Sequence, residues 1–139
     1  MKDSAVQAAI TRAGAEAAVR AAEAAFGSGD VARMLEGFTD DCIVRFAEQP
    51  EMVGKPALEA FLRARMARQG GYRLSKTLRA VDGDIVGVEW AGSWTDTGTG
   101  VAMAGKGLEF WTIRDGRIAI WDAGFNVWEK DGPRLSPVT

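Results

Sequence analysis

Three turn signals punctuate the second half of the chain: Asp82-Gly83-Asp84, Asp96-Thr97-Gly98-Thr99-Gly100 and Asp115-Gly116. Between them apolar residues recur at every second position. Asp-Gly pairs suit tight hairpins because the primed turns need positive φ. The four strands marked out in this way cover about 72–81, 85–95, 101–114 and 117–128. Such strands are longer than the usual length of about five or six residues, so a meander built from them must twist and curl strongly. Gly87, Gly92, Gly105 and Gly107 stand where bulges and bends would let it do so.

The first half reads as helices. Ser4 and Gln7 have the spacing of a capping box, and Gly14 interrupts the sparse series Val6, Ile10, Val19 and Phe26, which places the firmer first helix at about 13–26. Gly27-Ser28-Gly29-Asp30 connects it to a short second helix over 31–38, with Asp30 as the cap. Thr39-Asp40-Asp41 turns the chain into a short strand, Cys42 to Phe46, which Gln49-Pro50 ends. Gly54-Lys55-Pro56 opens a third helix with Leu58, Phe61, Leu62, Arg65 and Met66 on one face and Glu59, Arg63 and Arg68 on the other. Helices first and a meander afterwards predict an α+β fold, with three N-terminal helices packed on the concave face of a strongly curved, mainly antiparallel sheet.

At 139 residues, 47% hydrophobic and 26% charged, the chain suits one domain spanning 1–139, with its core at about 13–131. A net charge of -2 without a basic run gives no footprint for nucleic acid. No apolar stretch approaches the roughly 18 residues of a membrane span, and the alanine-rich start lacks the pattern of a signal peptide, so the expected location is cytoplasmic. The lone Cys42 forms no internal disulfide. The absence of histidine removes Ser-His-Asp and Cys-His catalysis and any His-ligated metal. No cofactor is expected.

Gly29-Asp30, Phe38-Thr39-Asp40-Asp41, Gly54-Lys55-Pro56-Ala57-Leu58 and Trp111-Thr112-Ile113-Arg114-Asp115-Gly116-Arg117-Ile118 occur in the order of the nuclear transport factor 2-like superfamily, which the chain resembles over nearly its whole length. Tyr72 to Leu78 and Gly107 to Trp111 are similar to a SnoaL-like subgroup of polyketide cyclase and ketosteroid isomerase type. The resemblance implies a cone with an internal pocket. It implies no single activity, because isomerases, cyclases, epoxide hydrolases, dehydratases and binding or adaptor domains share the fold. Where ketosteroid isomerases carry a catalytic tyrosine, a general-base aspartate and a protonated oxyanion-hole acid, this chain has Ala22, Phe46 and Glu109. The cyclases and scytalone-type dehydratases pair a histidine with an aspartate, and there is no histidine here. The epoxide hydrolases have an aspartate near the position of Ala123.

Glu109 shares a strand face with Trp111 and Ile113. On the concave side, desolvation would suit it to general acid or hydrogen-bond donor chemistry. On the convex side it would be a carboxylate paired with a neighbouring Lys or Arg. Trp90 with Trp94, and Trp121 with Phe125, stand four apart and so share a face. Together with Trp111 and Phe46 they either line a pocket for a small apolar molecule or are plain core. Asp40-Asp41 reads as a turn or cap rather than a metal pair, and no metal is expected. Arg45 either binds an anion or is solvated, and Cys42 reads as a small buried hydrophobe. Leu108 and Phe110 fall on the face opposite Trp111 and Ile113. With apolar residues on both faces, the sheet has one for the pocket and one for a second copy of the chain, so the expectation is a homodimer through the sheet. Function then divides between a cofactor-free isomerase, cyclase or dehydratase using Glu109 and a non-catalytic binding or adaptor domain.

Overall fold

The computed structural model describes residues 9–47 and 49–133. The expected Ser4–Gln7 capping box lies outside them. The elements run α1 (Arg12–Ser28), α2 (Val31–Leu35), β1 (Phe38–Phe46), β2 (Met52–Val53), α3 (Lys55–Arg68), β3 (Gln69–Asp82), β4 (Ile85–Asp96), β5 (Ala102–Arg114) and β6 (Arg117–Glu129). The strands form one sheet in the order β2-β1-β6-β5-β4-β3. Every neighbouring pair is antiparallel except β1 and β6, which run parallel. Thus the α+β expectation holds: few helices pack on a mostly antiparallel, six-stranded sheet. Among the described residues no helix is long and apolar enough to cross a membrane.

Local chemistry sets the boundaries. Thr11 caps α1 by accepting the Gly14 N–H at 2.9 Å, and Gly29 closes it in a left-handed conformation that a side chain would strain. Asp30 caps α2 through the Arg33 N–H, and Pro56 sits in the first turn of α3. At the β5–β6 hairpin both Asp115 and Gly116 have positive φ, as a primed turn requires. The β4–β5 loop is held differently: Arg68, in the last turn of α3, donates two hydrogen bonds to Asp96 at 3.0 and 2.8 Å.

Three expectations need correction. Thr39-Asp40-Asp41 is strand, not turn, because Phe38 already pairs with Ile118 and a bulge before Ile43 takes up these residues. Helix α2 stops at Leu35 rather than 38, since Phe38 is drawn into the sheet. Gly92, Gly105 and Gly107 mark no bulge. The β4–β5 register runs unbroken from Ile85↔Thr112 to Thr95↔Ala102, and these glycines clear space instead. A Cβ at either Gly92 or Gly105 would lie 2.6 Å from the Trp90 ring, and one at Gly107 would lie 2.5 Å from the Phe125 ring. Only Gly87 faces an irregularity, the slip between Leu78 and Ala80 on β3.

The core lies between the helices and the concave face, with Val19 and Phe26 of α1, Met34 of α2, and Leu58 and Leu62 of α3 against Val44, Val86, Val88, Trp111 and Trp121. Helix α1 also covers β3, an edge strand: Glu23 accepts the Lys76 N–H at 2.8 Å and Arg20 donates to the Lys76 carbonyl. Replacing Gly105 by Ala should cost about 1–3 kcal/mol, the usual cost of overpacking, measured by urea unfolding. Gly124→Ala, where a Cβ meets nothing within 4 Å, should leave the midpoint nearly unchanged.

Candidate functional site

The charge at the centre of the cone belongs to Glu109, 1% exposed in the middle of β5. Strand parity turns Glu109, Trp111 and Ile113 inward and leaves Leu108 and Phe110 outside. One carboxylate oxygen accepts from the indole N–H groups of Trp111 at 2.9 Å and Trp121 at 2.8 Å. The other meets the Lys76 ammonium at 2.5 Å. Lys76 comes from β3, so the pair reaches over β4 between them. It is 3% exposed, and burial pulls its pKa down, with the attraction of Glu109 opposing that shift. The Phe26 and Trp111 rings lie 5.5 and 5.7 Å from the ammonium. Inward Glu109 therefore combines both sequence alternatives: it is concave and buried, yet paired with a lysine.

Beside this centre is a cluster of rings. Phe46 packs edge-on to Trp121 at 4.7 Å and to Phe61 and Phe125 at 5.4 Å, and Trp90 lies 5.0 Å from Phe125. The Trp90 indole donates to the Tyr72 hydroxyl at 2.7 Å, and burial pushes the Tyr72 pKa up. On the solvent side of the cluster is a cleft of about 660 Å³ between α3, the end of β1 and the far halves of β4 and β6. Its walls are Phe46, Phe61, Trp94, Ala123, Phe125 and Val127, with Arg65 and Gln69 supplied by the end of α3 and the start of β3.

Of the sequence-derived candidates, Phe46 and Phe125 line this cleft. Trp90, Trp121 and Glu109 stand behind its wall as core, and Trp111 lines a second cavity of about 310 Å³ under α1 and α2, together with Ala22. Arg45 lies elsewhere, bound to Glu51 at 2.9 Å with Asp122 at 3.8 Å. Asp40 pairs with Lys55 and Asp41 with Arg114, and no cluster able to hold a metal occurs among the described residues. Cys42 is buried, and burial raises its pKa, which makes a poor nucleophile.

Sequence reasoning missed the polar residues of the region, although phase could have found them. Arg65 follows Phe61 and Leu62 on the apolar face of α3. Lys76 has the inward parity of Leu74 and Leu78. Each is a cation at a position the repeat assigns to the interior.

Residues 19–121 match the SnoaL-like domain family. Among solved structures, a provisionally assigned polyketide cyclase from Xanthomonas campestris pv. campestris is 30% identical, with a TM-score of 0.68 over 83% of this chain and 92% of that one. TerC, co-crystallised with polyporic acid, is 22% identical, with a TM-score of 0.70 over 81% of this chain and 92% of its own. SalBIII, an epoxide hydrolase/cyclase-like enzyme with a role in pyran ring formation in the polyether salinomycin, is 16% identical, with a TM-score of 0.73 over 83% and 95%. The last two share the fold alone. No curated protein sequence matches the chain.

Breaking the central pair from either side should be costly, and removing both partners much less so. Lys76→Met strands a buried carboxylate and Glu109→Gln a buried ammonium, each expected to lose about 3–5 kcal/mol in guanidinium unfolding. The double variant Lys76→Met with Glu109→Gln should recover much of that loss, because no unpaired charge remains. A double variant as unstable as the sum of the two would show that the groups are not coupled.

Proposed function

The chain belongs to the SnoaL-like domain family, and we propose that it binds a small, flat, apolar ring compound in the cleft between α3 and β6. The observation that carries this reading is the cleft itself: about 660 Å³, open to solvent and walled by Phe46, Phe61, Trp94 and Phe125. That volume falls in the range of small-molecule sites, and edge and face contacts with rings favour flat ligands. The co-crystallisation of TerC with polyporic acid supports a small-molecule role for a relative of this fold. Such binding needs no acid–base chemistry. The reading includes a cytoplasmic location and no cofactor.

A catalytic second reading, as a cofactor-free isomerase, cyclase or dehydratase, has one observation in its favour. A lysine with a lowered pKa and a carboxylate 2.5 Å away form a pair through which a proton can pass. Glu109 would be its acid or base. Binding alone is the better-supported reading, because the pair lies behind the ring cluster and every oxygen of Glu109 already has a donor.

Assembly is part of the same proposal. Leu108 and Phe110 are 58% and 55% exposed on the outer face. A second copy of the chain covers them in our reading, forming a homodimer through the sheet.

Naphthalene derivatives should bind with measurable affinity in calorimetry, and Phe125→Ala should weaken them about tenfold, the loss expected for one aromatic wall. Binding unaffected by this change would move the site elsewhere. Light scattering at micromolar concentration should give twice the 14.9 kDa chain mass, and Phe110→Asp should return it to the single value.

A further inference from the structure

We propose that the cleft selects a ring compound bearing an acidic oxygen, with Arg65 as its counter-ion and Gln69 as acceptor for a donor on the same ligand. The inference rests on the cleft being the ligand site and adds the ligand's charge and polarity.

Arg65 differs from six other arginines in having no carboxylate partner, and from the exposed Arg12, Arg33 and Arg73 in being half-buried. Arg20, Arg45, Arg63, Arg68, Arg79 and Arg114 each pair with a carboxylate. Arg65 makes no hydrogen bond or ion pair with any described residue, although it is half-buried. Its guanidinium carbon lies 5.4 Å from the Phe125 ring centre, 5.9 Å from Phe61 and 6.0 Å from Trp90. Rings attract the cation through their faces but accept few of its five N–H donors. Burial lowers its pKa, which is the signature of a charge short of solvent, though it stays protonated. Among the described residues, the carboxylate whose charge acts on Arg65 is Glu109, which is already taken by Lys76 and two indoles.

Gln69 supplies the second, independent observation. It is 8% exposed, it lines the same cleft four residues beyond Arg65, and its Oε1 has no donor among the described residues. A buried acceptor left empty is unfavourable, and a ligand hydroxyl or amide N–H would fill it. Among the described lining residues Arg65 carries the only charge, set among aromatic walls. A planar carboxylate, enolate or phenolate with a nearby hydroxyl matches all three features: ring against ring, anion against the guanidinium fork, donor against the amide oxygen.

The test uses 2-naphthoate and 2-naphthamide, which match in shape and differ in charge, titrated calorimetrically into the full chain. Naphthoate should bind at least about tenfold tighter, as a charge-assisted hydrogen bond warrants. Arg65→Gln should abolish that preference while leaving amide affinity within about twofold, and Arg65→Lys should keep part of it. Equal affinities for the two compounds in the unaltered protein would overturn the anion inference and leave the ring site standing. If neither compound binds, the site reading itself fails. The comparison in the unaltered protein decides even where Arg65→Gln does not fold, and a preference for naphthoate that survives in a folded Arg65→Gln variant would remove Arg65 from the role.

Discussion

A carboxylate taken out of water must find its donors inside, and those that Glu109 finds come from three strands. Lys76 is on β3, Trp111 on β5 itself and Trp121 on β6. A flat sheet would hold β3 and β5 two strand spacings apart, with their side chains standing parallel to each other. The Lys76–Glu109 contact at 2.5 Å brings side chains together over β4, which a sheet curved around them favours. The Trp121 indole, tethered to Glu109, then presents its ring to Phe46, Phe38 and Phe26. The cleft wall on the far side of Phe46 and Phe125 stands on that scaffold. Replacing the pair by well-packed apolar groups would be no loss in hydrophobic terms, so its contribution lies in fixing which strand positions meet.

Much of the fold was legible because its signals are local. Alternation at period two, Asp-Gly turns and a proline after Gly54 each act within a few residues, and the four long strands appear within three residues of their expected ends. What stayed hidden depends on residues far apart in the chain. The β1–β2 pairing joins two residues that carry no turn signal, and the strand character of Thr39 to Asp41 comes from β6, some eighty positions later. Glycine identity showed that space was needed at Gly92 and Gly105. That the space serves the Trp90 ring is visible only once both flank it.

The candidate site divides along the same line. Phe46 and Phe125 could be read from strand phase, and both line the cleft. Arg65 is legible on the apolar face of α3 but without a role, and Lys76 goes unread because a cation is assigned to solvent by default even where the repeat turns it inward. The sequence leaves the aromatic residues as one set, either pocket lining or core, and the structure separates them by depth. Trp90, Trp111 and Trp121 are all under 4% exposed, while Trp94 and Phe125 face the opening.

The parallel contact between β1 and β6 also bears on how the molecule is made. β3 to β6 join neighbour to neighbour through short hairpins, so each can form as soon as its partner exists. β1 precedes them all, but its principal partner is the last strand in the chain; before that strand arrives it has only the two residues of β2. During synthesis from the N-terminus, the edge of β1 that pairs with β6 waits unpaired until β6 has emerged. Closure of the sheet is then a long-range step with a large loop to pay for, the kind that slows folding and leaves the newborn chain dependent on its helices for cover.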